Sequence, residues 1–176
     1  MKFYDREKEI AQLRQWEELS LEYAQMTVVV GRRRIGKTTL IKKAMEGRMT
    51  LYFFVAKKNE TLLCEEFVEL IRVVLNVKIV GQLTDFKSIF EYLMQLSTER
   101  HFTLIIDEFQ EFFNINSSVY SDMQNIWDEY KEKSKLNLIV CGSVYSLMKR
   151  IFENAREPLF QRANHRIVLR PFNVEI

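Results

Sequence analysis

The sequence predicts an α/β fold in which a parallel sheet is covered by helices on both faces. Three observations carry that expectation. Five short apolar runs recur along the chain, at 26–30 (MTVVV), 51–55 (LYFFV), 103–106 (TLII), 136–141 (LNLIVC) and 166–169 (RIVL). They are unbroken in hydrophobicity where a half-solvated strand would alternate, so each suits a strand buried on both sides. Long stretches with helical spacing separate them, which is the order of a layered α/β core. Finally, 176 residues with 47% hydrophobic and 28% charged side chains suffice for one domain with a substantial core.

Taken in order, the chain opens with an amphipathic helix over 6–19, where Ile10, Leu13, Trp16 or Glu17, and Leu19 recur at helical intervals and Asp5 is a suitable N-cap. The first strand, 26–30, is followed by the loop GRRRIGKT at 31–38 and then by a helical pattern, KTTLIKKAMEG. After the second strand, Leu62, Leu63, Phe67, Leu70, Ile71 and Val74 share a face over 61–75, and Phe86, Ile89, Phe90, Leu93 and Leu96 do so over 86–96. A helix over 118–133 carries Tyr120, Met123, Ile126, Trp127 and Tyr130, and a last one follows the fourth strand as SVYSLMKRI. These apolar stripes read as core. There are no repeats, no low-complexity tract and no linker, and the only prolines are Pro158 and Pro171, so residues 1–176 form a single expected domain.

Composition narrows the function classes. A net charge of +2 and a pI near 8.5 permit an acidic partner without requiring one. Cys64 and Cys141 lie far apart, with no CxxC spacing and no histidine cluster, so neither a disulfide framework nor a zinc site is expected, and the default location is a reducing cytoplasm. The N-terminus MKFYDREKEI is charged where a signal peptide would be apolar, and no run approaches the roughly 18 apolar residues of a membrane span.

The loop at 31–38 carries the chemistry. Only five glycines occur in the chain, and Gly31 and Gly36 bracket this one turn. Strand before and helix after place it on the carboxyl edge of a parallel sheet, where ligands bind in such folds. The spacing Gly31, four residues, Gly36, Lys37, Thr38 is the Walker A pattern. Four fixed positions match by chance in about one chain in a hundred of this length, so the flanking strand and helix supply the rest of the specificity. Glycine lets the backbone curl so that successive N–H groups converge on a phosphate chain, and the helix adds the positive end of its dipole. Lys37 is expected at the β and γ phosphates of ATP or ADP, and Thr38 at Mg²⁺. Arg32, Arg33, Arg34, Ile35 and Thr39 complete the expected phosphate-binding stretch, the arginines reading as a solvated or phosphate-field feature more than a DNA-reading patch.

Two further strand ends supply partners. In TLIIDEFQ, at 103–110, the apolar strand delivers Asp107 to hold the Mg²⁺ hydration shell and Glu108 to polarise the attacking water. No NKxD sequence for reading guanine is present. In LIVCGSVYSLM, at 138–148, Ser143 is placed either to bridge water and γ-phosphate or to cap the following helix. Arg162 sits in a loop anchored between Pro158 and the last strand.

Together GRRRIGKTTL, LIIDEFQ, IVCGS, PLFQR at 158–162 and IVLRPF ending at 172 resemble the archaeal-type ATPases of the STAND group, within the AAA+-related additional-strand P-loop NTPases. FYDREKEIAQL is similar to that family's opening box, usually written Gly-Arg-Glu and lying near the adenine, with Asp5 here in the glycine's place. The resemblance implies a three-layer fold with strand order 5-1-4-3-2, Arg6 near the nucleotide, Asp107 and Glu108 as the Walker B pair, and Ser143 as a sensor. It further implies Arg162 as an arginine that senses or stabilises the γ-phosphate, in its own site or a neighbour's. A helical lid and an effector module follow this domain in the family and are expected beyond the present chain, with any protein or DNA partner engaged there. Two function classes remain open at this point: a Mg²⁺-dependent ATPase that resets a conformational switch, and a nucleotide-binding regulatory module with negligible turnover whose output is protein or DNA binding. Oligomeric state is left open.

Overall fold

A computed structural model describes residues 6–171. Five strands, β1 (Gln25–Val30), β2 (Thr50–Phe54), β3 (Phe102–Asp107), β4 (Leu136–Gly142) and β5 (His165–Val168), form one sheet in the order β2-β3-β4-β1-β5. Every pairing is parallel. Read from its other edge, this is the order 5-1-4-3-2 expected of a three-layer P-loop fold.

The layers follow from the two-residue period of strands. On one face Val28, Val30, Leu104, Ile106, Leu138 and Val140 join the larger core. It is covered by α3 (Glu60–Leu75), α4 (Phe86–Leu96), α6 (Ser118–Tyr130) and α7 (Tyr145–Glu153). On the other face Val29, Ile105, Ile139, Cys141 and Ile167 meet Ile10 and Leu13 of α1 (Glu7–Leu19) and Leu40, Ile41 and Ala44 of α2 (Lys37–Ala44). Each large side chain fully buried in these layers contributes roughly 1.5–3 kcal/mol.

Some helical faces differ from expectation. α3 buries Leu63, Cys64, Phe67, Val68, Ile71 and Leu75, so at 100° per residue Leu62 and Leu70 turn to solvent. In α1 the buried position is Glu17, which pairs with Arg48, while Leu19 is exposed at the helix end. The expected cap Asp5 lies outside the described residues.

Between β3 and α6 the chain makes a 3₁₀ turn, Phe109–Glu111, and the short α5, Phe112–Ile115, neither of which periodicity announced. Phe109 and Phe112 are fully buried and meet each other and Tyr120 edge-on. The Tyr120 hydroxyl donates to the Phe109 carbonyl at 2.8 Å. This aromatic knot fixes the residues that leave β3, and it therefore fixes Glu108. Because β3, β4 and β1 are neighbours, their carboxyl ends lie side by side, and Gly31 N–H donates to the Gly142 carbonyl at 3.2 Å across two of them.

Candidate active site at the carboxyl edge of the sheet

The loop after β1 has the close approaches its glycines suggested. A Cβ on Gly31 would stand 3.0 Å from Ile35 Cγ2 and 3.2 Å from Leu169 Cβ. Arg34 (φ 66°) and Gly36 (φ 90°) both take left-handed backbone, which curls the loop over the start of α2. Gly36 caps α2 without any side-chain acceptor, and no acidic residue lies in the first turn. The first N–H groups of a helix have no intrahelical acceptor, so this terminus favours an anion. Lys37 is only 6% exposed, and its Nζ donates to the Gly31 carbonyl at 3.2 Å, which holds the ammonium across the loop. Arg32, Arg33, Arg34 and Thr39 are exposed, and Ile35 packs partly against the smaller core.

Asp107, 4% exposed at the end of β3, is the hub. Its Oδ2 accepts from Thr38 Oγ1 at 2.9 Å and also from the Tyr52 hydroxyl, while Oδ1 accepts from Glu108 N–H at 2.9 Å. Burial, then the bond to Asp107, pushes the Tyr52 phenol well above its ordinary range, so it stays a donor. Burial likewise raises the Cys141 thiol, with Asp107 nearby adding to the effect, and makes this cysteine inert.

Glu108 takes left-handed backbone (φ 55°, ψ 45°), an arrangement that costs a non-glycine residue on the order of 1 kcal/mol and is held by the aromatic knot beneath it. Its Oε2 accepts from Ser143 Oγ at 2.8 Å and from Gln110 Nε2. Ser143 therefore engages the carboxylate. It does not cap α7, whose cap position is Val144. Gln110 is buried, and its Oε1 finds no partner among the described residues.

Arg6 stands at the same edge, its Nη2 donating to the Arg170 carbonyl at 2.6 Å just past β5. Arg162 does not. Its guanidinium clasps Asp128 through Nε–Oδ1 at 3.2 Å and Nη2–Oδ2 at 2.8 Å, and the nearby Asn164 N–H donates to Met26 at the start of β1. This is the amino edge of the sheet. The strand between spans about 20 Å at ~3.3 Å per residue, beyond the reach of an arginine, so Arg162 takes no part in its own chain's site.

Sequence reasoning missed Tyr52 and Gln110. Tyr52 showed only as one polar hydroxyl in an apolar strand, and Gln110 only as the glutamine two residues after Glu108. Among the described residues no group of three or more His, Cys, Asp or Glu side chains converges. Thr38 and Asp107 offer one hydroxyl and one carboxylate, a set that suits a hard ion completing its shell with phosphate oxygens and water, as Mg²⁺ does.

A family model described as an ATPase domain predominantly from Archaea matches residues 3–176. The uncharacterized protein MJECL04 of Methanocaldococcus jannaschii is 28% identical over 169 residues, covering 96% of this chain and 36% of that protein. Among solved structures, the Walker-type ATPase PABY2304 of Pyrococcus abyssi is similar with a TM-score of 0.68 at 20% identity, covering 92% of this chain and 53% of that one. The Aeropyrum pernix ORC1 protein, solved in complex with DNA, is similar with a TM-score of 0.64 at 13% identity, covering 96% and 46%. At these identities the two structures bear on the fold alone. The chain spans about a third of the length of the M. jannaschii relative and about half of each solved chain. Among the described residues, no helix is long and apolar enough to cross a membrane.

Proposed function

The chain belongs to the family of ATPase domains found predominantly in Archaea, and on that premise we propose that it binds ATP or ADP with Mg²⁺ and hydrolyses ATP to reset a conformational switch. The observation that carries the reading is the chain of contacts across three strand ends, from Thr38 to Asp107 to Glu108 to Ser143, beside the buried Lys37.

In this proposal the loop N–H groups and Lys37 bind the phosphates, and Arg6 lies toward the nucleoside. Thr38 and Asp107 hold Mg²⁺, which when bound neutralises charge on the phosphate oxygens. Glu108 accepts a proton from water through the oxygen that Ser143 and Gln110 leave unengaged, and Ser143 orients that carboxylate. The finer placement among STAND ATPases is part of the proposal and rests on the order of GRRRIGKTTL, LIIDEFQ, IVCGS and PLFQR. Engagement of a protein or DNA partner is assigned to regions of a longer protein outside the present chain, and a role for Arg162 is confined to a neighbouring protomer's site.

One observation favours the second reading, a regulatory module with negligible turnover: Glu108 already has two donors on one oxygen, which restrains a base. The Glu108→Gln variant separates the two. It keeps shape and hydrogen bonding but cannot accept a proton, so under the first reading it binds Mg²⁺ and ATP as the wild type does and turns over on the order of a hundredfold more slowly. Equal turnover in both proteins removes Glu108 as the base, and negligible turnover in both supports the regulatory module.

A further inference from the structure

Tyr52 sits where nothing in its strand explains a hydroxyl. β2 reads Thr50, Leu51, Tyr52, Phe53, Phe54, and its neighbours Phe53 and Phe54 show that aromatic bulk is available here without a polar tip. Phe53 is buried in the larger core, whereas Tyr52 points to the opposite face and packs against the smaller one. In register Tyr52 lies opposite Ile105 of β3. Asp107 is two residues further along β3, hence on the same face, one diagonal step toward the carboxyl edge. The ring spans that step and its hydroxyl donates to Asp107 Oδ2, the oxygen that also accepts from Thr38.

We propose that Tyr52 is a positioning residue for the metal-holding carboxylate: it fixes Asp107 so that, with Thr38, the carboxylate is set for a divalent cation bound with a nucleotide. The inference rests on the nucleotide-site reading and goes beyond it by naming a residue on β2, the strand at the sheet's far edge. Three donors converge on Asp107, and two of them are tied to parts that serve the site in other ways: Thr38 to the loop, and Glu108 N–H to the turn leaving β3. Tyr52, whose hydroxyl also meets the Thr38 side chain, reaches Asp107 from β2, outside both the loop and that turn. It stays with Asp107 when the Thr38 hydroxyl turns to a cation. Lys42 Nζ lies over the ring, 4.1 Å from its centroid, and so braces the phenol from α2. A hydrogen bond to a carboxylate is strong enough to fix it in one rotamer. Partners of this kind behind a metal ligand typically change metal affinity by 10–100-fold.

The test uses the Tyr52→Phe variant, which removes only the hydroxyl, and the imido analogue of ATP as probe, titrated by calorimetry in EDTA and over a series of Mg²⁺ concentrations. The expected result is equal affinity of wild type and variant in EDTA. The variant should also need a Mg²⁺ concentration higher by about tenfold for half-maximal enhancement of binding. A merely structural role would move the melting temperature or both affinities together and leave that midpoint in place. An unchanged Mg²⁺ midpoint in Tyr52→Phe, with wild type showing Mg²⁺-enhanced binding, overturns this inference and leaves the nucleotide site intact. A wild type that binds no analogue in either condition overturns the nucleotide-site reading, and the inference falls with it.

Discussion

Gly142 ends β4 with no room for a side chain, and adding one methyl group there perturbs packing and chemistry together. A Cβ built at this position stands 2.5 Å from Met148 Cγ and 2.5 Å from Gln110 Oε1, with Met148 Sδ closer still. Met148 and Gln110 are both buried, so neither can swing away into solvent. Overpacking of this kind costs about 1–3 kcal/mol. For a chain of this size each kcal/mol lowers the melting temperature by about 2–4 °C, so Gly142→Ala should melt about 2–12 °C below wild type. The second consequence is local. Pushing the Gln110 amide aside breaks its bond to Glu108, and a base displaced by about 1 Å can lose on the order of a hundredfold in rate. In the proposed site the phosphate contacts come from the loop after β1, and the Gly142 carbonyl that accepts from Gly31 is unchanged by the substitution, so nucleotide affinity should stay near wild type. Thermal melting, calorimetry and steady-state turnover on the same preparation check the three parts. In a Met148→Ala background the same substitution should cost less, because two of the three closest atoms are gone. Wild-type melting temperature and turnover in Gly142→Ala would refute the close packing on which this reasoning stands.

Two further outcomes follow from elements away from the loop. Arg162→Ala should leave nucleotide affinity at the wild-type level, because its partner Asp128 is at the amino edge, and should lower stability by less than about 1 kcal/mol as the loss of a largely exposed ion pair; calorimetry and a urea melt check both. Asp85 caps α4 by accepting from Ser88 N–H at 2.8 Å, and its hydrogen bonds to Ser88 hold its carboxyl below the ordinary range. Its folded pKa is depressed, so the stabilisation is fully present above the unfolded carboxylate range near pH ~4 and is lost as pH falls through the folded value. Asp85→Ala should therefore cost about 1 kcal/mol at neutral pH, and the gap to wild type in urea melts should close in acid.

The strands were legible because each is a continuous apolar run, and their ends fall within about a residue of the runs in the sequence, as with 26–30 against Gln25–Val30. The tight turn after β1 was legible because glycine is scarce and both bracketing glycines meet a steric or backbone demand. Tyr52 and Gln110 were not. Tyr52 meets Asp107 across 55 positions of sequence, and that meeting depends on register between two strands, which hydrophobic pattern does not encode. Gln110 gains its place from a 3₁₀ turn held by aromatic residues brought in from several elements. Arg162 teaches the opposite lesson. It precedes β5, and in an all-parallel sheet whatever directly precedes a strand stands at the amino edge. Strand polarity thus set it apart from the loop, where likeness of motif had drawn it to the phosphate.

The central claim is that the loop from Gly31 to Thr38 holds the phosphates of a nucleotide. It is tested most directly by titrating ATP with Mg²⁺ into wild type and Lys37→Ala side by side. Lys37 closes the loop through the Gly31 carbonyl without forming any ion pair among those found in the described residues. Its loss should leave the chain folded, with a melting temperature in the absence of nucleotide lowered only by the lost bond to Gly31, while removing charge-assisted bonds to phosphate and weakening binding on the order of 10–100-fold. Equal affinity in the two proteins would contradict the account.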